Sequence, residues 1–247
     1  MSDIVRLAIF VTVFVASAAV NAAEPHVVLL ERDPWRTVVG SDSPTFVLYS
    51  DGLAIFRTSN ASSSRSGYLS TRLSSAEYQA FISSISPKAM ANLAASYMAA
   101  SSTDQPNNEL HVWLNGRRKS VSVYGALRRD AEARSKTPAD FLRVFDAITK
   151  FSAEASPWLP DYIEVLIWPF DYSAEQPLQW PEGWPPFEQA RPRGREGLHQ
   201  LFLEAKHFDR LNELINSLNP KQAVSLANRK WAISYRLALP QENAWAR

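Results

Sequence analysis

The side chains able to do chemistry are few and poorly spaced for it. The chain has only four histidines, His26, His111, His199 and His207. A zinc hydrolase needs imidazoles that reach one ion together, which a helix supplies with two histidines about one turn apart. His199 and His207 flank Glu204, but a regular helix would set them roughly 12 Å apart at about 1.5 Å per residue. The sequence has no Gly-x-Ser-x-Gly elbow, so a serine nucleophile would have to be assembled from distant residues. Only eight glycines are present, with neither a Walker A nor a Gly-x-Gly-x-x-Gly pattern. No phosphate loop and no cofactor follow from the sequence. It has no cysteine, which excludes thiol catalysis and thiolate metal sites.

What remains is carboxylates among aromatics. Asp161, Glu164, Asp171, Glu175 and Glu182 lie in or beside a stretch dense in Trp and Pro. Two carboxylates about 5 Å apart, or about 6.5–9.5 Å apart, would serve glycoside hydrolysis. The spacing singles out no two. Trp168, Tyr172, Trp180, Trp184 and Phe187 can offer flat faces to a sugar or a peptide. Proline-rich extended chain also has little conformational entropy to lose on binding. The same rings serve equally as core. Two functional expectations result. The first is a non-catalytic protein that binds a partner protein or a glycan through residues 168–187. The second is a cell-wall-active hydrolase using carboxylates near those rings.

The chain carries a net charge of +1, too little field to hold nucleic acid. Its bases cluster at Arg117-Arg118-Lys119, at Arg128-Arg129 and at Arg191, Arg193 and Arg195. Such clusters keep turns soluble and protect sheet edges. They also suit contact with an anionic envelope surface.

The elements that would position these groups begin after a leader. Residues 1–6 are polar with one base, 7–20 are apolar, and Val20-Asn21-Ala22 places small residues before Ala23. This order predicts a signal peptide over 1–22, cleaved after Ala22, and a periplasmic or secreted product. The apolar run falls short of the ~20 residues of a bilayer span, and no transmembrane segment is expected in the mature chain. Strands are predicted over 26–31, 45–49 and 53–57. Asp51-Gly52 joins the last two as a hairpin with a type I′ turn. Ser74-Ser75-Ala76-Glu77 is a capping box, and Tyr78, Phe81, Ile82 and Ile85 form one helical face behind it. Met90, Leu93 and Tyr97 suggest a shorter second face. Residues 110–114 and 121–124 form another hairpin, its tip widened by Arg117 to Lys119. Thr137-Pro138 caps a helix whose face is Phe141, Val144, Phe145 and Ile148.

Pro157 to Pro160 marks a boundary. The expected divisions are 1–22, an N-terminal α+β domain over 23–156, and a C-terminal region over 157–247. In the latter, 162–168 reads as a strand. Leu198, Leu201, Phe202, Ala205 and Phe208 read as a helix continued by Leu211 to Leu218. Residues 231–239 alternate as a closing strand that returns to the same sheet. The fold class is α+β, a mainly antiparallel sheet of hairpins with helices on one face.

From residue 45 to about 151, the order of "YSDGLAIF", "GYLSTRLSSAEYQAF", "STDQP", "NGRRKSV" and "TPADFLRVFDAITKF" resembles an uncharacterised bacterial envelope family of unknown function. The resemblance implies a fold and an envelope location. It transfers no catalytic residue.

Overall fold

A computed structural model describes residues 23–32, 34, 43–58, 64, 66–114, 116–194 and 196–245. The leader over 1–22 and Arg195 lie outside the described residues. In chain order the first elements are β1 (Pro25–Arg32), β2 (Phe46–Tyr49), β3 (Leu53–Arg57), β4 (Tyr68–Arg72), α1 (Ser75–Ile85), β5 (Ser96–Met98), β6 (Asn107–Leu114), β7 (Arg117–Tyr124), α2 (Ala131–Ser135), α3 (Ala139–Thr149) and β8 (Ser156–Pro157). Their strands form an eight-stranded sheet in the order β5-β7-β6-β1-β2-β3-β4-β8. Every pairing is antiparallel except β5 with β7. Then follow β9 (Tyr162–Pro169), β10 (Leu178–Gln179), β11 (Arg191–Pro192), β12 (His199–Glu204), α4 (Phe208–Ser217), β13 (Val224–Leu226) and β14 (Arg229–Leu237). These strands make a second sheet, β10-β13-β14-β9-β12-β11.

Burial explains the layering. The run Val27 to Leu30 in β1 and all of β2 are buried without alternation, so both faces of the first sheet are covered. On one face Val27, Leu29, Phe46, Leu48, Phe56, Leu110 and Val112 pack with Ile85 of α1 and with Phe141, Val144, Phe145 and Ile148 of α3. On the other, Val28, Leu30, Val47, Tyr49, Ile55 and Tyr68 meet Ile163, Val165, Ile167, Leu201 and Leu203 of the second sheet. The chain is therefore α+β: α1 to α3 cover one face of the eight-stranded sheet, the six-stranded sheet covers the other, and α4 packs Phe208 and Leu211 into the core shared by the two sheets. The closing strand, β14, sits beside β9 in the second sheet rather than rejoining the first. No helix among the described residues is long and apolar enough to cross a membrane.

Local chemistry explains the start and stop of several elements. Ser74 Oγ accepts from the Glu77 amide at 3.3 Å and the Glu77 carboxylate accepts from the Ser74 amide at 2.8 Å, the reciprocal capping predicted for α1. The β2–β3 hairpin forms, but not with a type I′ turn. Gly52 is at φ +82° while Asp51 is not in the left-handed region, and a three-residue loop spans 50–52. A Cβ on Gly52 would lie 2.7 Å from the Leu73 carbonyl oxygen, so glycine is required twice over. Positive φ at two successive residues occurs instead at Ala227 and Asn228, where Leu226 pairs with Arg229 across a two-residue tip.

Four further expectations are corrected. The β6–β7 tip is tight, with Leu114 paired to Arg117, so Arg117 to Lys119 lie in the strand. Residues 198–204 are not a helix. Leu201 and Leu203 are buried and Phe202 and Glu204 exposed, a period of two set by pairing to β9, and the chain becomes helical only from Ala205, as a 3-10 turn that leads into α4. The run through Met90, Leu93 and Tyr97 is a 3-10 turn leading into β5, which β7 captures as an edge strand. Thr137 does not cap α3. Its hydroxyl donates to the Ala133 carbonyl at 2.8 Å, closing the preceding α2, which is itself capped by Asp130.

Candidate functional site

The aromatic segment is a strap more than a platform. It leaves the middle of the second sheet at β9, pairs as β10 at one edge and as β11 at the opposite edge. Residues 180–190 therefore cross the face that the sheet turns toward the core. Trp184 is only 5% exposed there. Trp180 is half-buried, edge-on to Trp184 at 5.0 Å, and its indole N–H donates to the Pro185 carbonyl at 3.0 Å. Phe187 stacks on Trp231 of β14 at 4.7 Å. Trp168 is half-buried on β9. Tyr172 alone among the expected residues is open, at 85% exposure, with its ring edge-on to Phe170.

The carboxylates near these rings are mostly engaged. Glu164 is buried and accepts from Arg236 at 2.7 Å and from Arg193. Glu175 accepts from the Asn219 amide, and Asp171 lies 3.4 Å from Arg229. Glu182 is exposed. Asp161 lines a small depression of about 340 Å³ with Glu204, whose carboxylate lies 2.6 Å from the Lys206 ammonium. His199 contacts the Gly197 carbonyl, and His207 lies against the Trp184 ring. Among the described residues no three His, Cys, Asp or Glu side chains converge as a metal group would require.

The larger concavity lies elsewhere. A cleft of about 920 Å³ opens at the end of the first sheet where β1 ends and β2 and β6 begin. Phe46 and Phe56 enter it from β2 and β3, Leu69 from β4, and Ile148 and Phe151 from the end of α3. Phe151 sits edge-on to both Phe46 and Phe56, at 5.2 and 5.1 Å, so the floor is a packed aromatic surface. The rim is polar: Thr45, Thr58, Ser66, Thr149 and Ser152 supply hydroxyls, while Glu31, Arg128 and Arg129 supply charge, as does Arg57, whose guanidinium donates to the Tyr68 hydroxyl at 3.0 Å. This volume and mixture suit a small ligand, since such sites occupy about 300–1,000 Å³ with a few polar groups around an apolar floor.

The rim loop that carries the two arginines is held from several sides. Asn108 on β6 donates to the Val123 and Gly125 carbonyls at 3.0 and 2.8 Å. The Gly125 amide donates to Pro106 at 2.8 Å, and Arg134 donates to the Leu127 carbonyl at 3.1 Å. Gly125 has φ +150°, and a Cβ there would come 3.1 Å from that of Ala133, which fixes α2 close behind the loop. Arg128 binds Glu31 through two bonds of 2.6 and 2.7 Å, and this hydrogen bonding raises the guanidinium pKa further. Arg129 is exposed at the rim. In the sequence Arg128-Arg129 reads either as turn charge or as contact for an anionic surface. The cross-strand pairing of Phe46 with Phe56 sets both rings on one face, and nothing local in the sequence announces that Phe151 and the 126–129 loop meet them.

A second polar cluster sits on the opposite face of the first sheet. His111 and Ser120 are cross-strand partners of β6 and β7, and His111 Nδ1 lies 2.7 Å from Ser120 Oγ. Glu109, two residues before His111, lies 3.9 Å from its Nε2 and is held by Arg32 at 2.7 Å. Serine, imidazole and carboxylate in line are what nucleophilic catalysis requires. Acyl transfer also needs donors aimed at a developing oxyanion, and the described hydrogen bonds bring none to Ser120. Burial dominates the imidazole. It pushes the His111 pKa down to about 4, against the opposing pull of Glu109, with Arg118 and Arg32 pushing the same way as burial. His111 is thus neutral at pH 7, a buried tie between strands.

Comparison of the chain with known protein families, with curated proteins and with solved structures finds no match.

Proposed function

We propose that this protein is exported and non-catalytic, and that it binds a small, largely apolar ligand in the cleft at the end of the first sheet. The observation that carries the reading is the cleft itself: Leu69 and Phe151 offer partly exposed apolar surface over the buried Phe46, Phe56 and Ile148, inside a rim of hydroxyls and charge. Apolar surface of this kind attracts a ligand because its burial releases water, at about 25 cal/mol per Å². Export rests on the leader, and the resemblance to an envelope family over 45–151 agrees with it. The strap over 168–187 supports binding less well, because three of its five rings are spent on packing. The hydrolase reading is weaker for a related reason, since Glu164, Asp171 and Glu175 are held by arginine or asparagine.

Nile red, an uncharged dye whose emission shifts in apolar surroundings, tests the cleft. Saturable binding at one site is expected. Ser152→Trp places a large ring on an exposed rim residue and is expected to weaken dye binding at least tenfold without lowering the melting temperature. Unchanged binding by that variant overturns the reading. Fractionation of the source cell tests export: the product should lie outside the cytosol, shortened near residue 22.

A further inference from the structure

We infer that the ligand of this cleft is an amphipathic anion, an acyl chain lying on the phenylalanine floor with its carboxylate or phosphate head at Arg129. The inference rests on the cleft reading above and adds the ligand's chemistry to it. Among the described residues that line the cleft, Glu31 is the sole carboxylate. Both its oxygens already accept from Arg128, so it contributes little repulsion to an incoming anion. Arg129 is different. It is exposed at the same rim, and none of the described ion pairs engages its guanidinium. Its backbone amide donates a hydrogen bond of 3.0 Å to the Ala126 carbonyl, within the loop that Asn108 anchors. A cation whose backbone is anchored at the mouth of the cleft is therefore within reach of it before any ligand arrives. The floor favours methylene groups, each worth about a fourfold gain in affinity when buried. The mouth favours a negative head, by charge-assisted hydrogen bonding to a guanidinium that matches carboxylate and phosphate alike. A neutral lipid satisfies only the first demand, and a free inorganic anion only the second.

Displacement of Nile red tests this with three ligands of one chain length: decanoate, decyl phosphate and decanol. At low salt and about pH 8 both anions are expected to bind about fivefold more tightly than decanol. Octanoate is expected to bind about tenfold more weakly than decanoate. Arg129→Gln should bring the anions within twofold of decanol and leave decanol itself unchanged. Inorganic phosphate should displace nothing. Preference for only one of the two anions narrows the head group and keeps the inference. Equal binding of all three ligands by the unaltered protein overturns it while the cleft reading stands. So does an Arg129→Gln protein that keeps the full preference, or affinity that does not change with chain length. Failure of every ligand to displace the dye, with Ser152→Trp still binding it, overturns the cleft reading as well.

Discussion

Trp184→Ala is expected to destabilise the fold by about 3–5 kcal/mol, the range for removing a buried aromatic from a core. The ring is 5% exposed and sits among Trp180, His207 and Arg210, whose guanidinium lies 5.6 Å from the ring centroid. Deleting it leaves a void under the strap, which is pinned at both sheet edges and cannot collapse freely. One feature pulls the value toward the lower end. The indole N–H is buried with no hydrogen-bond partner, so the native state already bears a cost that alanine removes. Tyr172→Ala is the matched control: at 85% exposure it should change stability by less than about 0.5 kcal/mol. Urea titrations of the three proteins decide the matter. Were Trp184→Ala to unfold at the same denaturant concentration as the unaltered chain, its ring would be a surface group and the strap a binding platform after all.

That contrast shows where sequence reasoning reached and where it stopped. Turn and cap chemistry is local, so Gly52, the Ser74–Glu77 box and the apolar face of α3 were all legible. The tip of β6–β7 was nearly so. A two-residue turn at Asn115-Gly116 pairs positions on the two strands symmetrically about it and sets His111 opposite Ser120. The strand β12 was not legible, because Leu198, Leu201, Phe202, Ala205 and Phe208 fit a helical stripe. Pairing with β9 overrides that stripe by offering Leu201 and Leu203 a buried face, and such a partner is invisible in the local pattern. The strap failed in a similar way. Dense proline correctly implied extended chain, but which side of the chain meets the protein depends on β10 and β11 pairing at opposite edges. The cleft is the least legible feature. Its floor joins residues from 46 to 151, and its charge comes from a loop whose position depends on Asn108 and Gly125.

His111 is expected to make the protein acid-sensitive, and the sign follows from its two environments. In the unfolded chain its pKa is near 6.5; in the fold, burial lowers it to about 4. Above about pH 6.5 the imidazole is neutral in both states and titration contributes nothing. Between these values the unfolded chain binds a proton that the folded one refuses, so acid favours unfolding. Below about pH 4 both states are protonated and the loss levels off near 3 kcal/mol, at 1.36 kcal/mol for each unit of separation. His26 titrates in the same direction, because burial lowers its pKa too. Carboxylates also titrate in this range, so the histidine contribution must be isolated by substitution. His111→Gln keeps an amide opposite Ser120 but carries no titratable proton. The unaltered protein should lose about 2–3 kcal/mol through this residue between about pH 7.5 and pH 4.5, and the variant should lack that share of the loss. The measurement is the urea midpoint of each protein at both pH values. Parallel pH dependences for the two would mean that His111 accepts its proton without leaving its place between the strands, with Glu109 close enough to stabilise the cation that burial is argued to exclude.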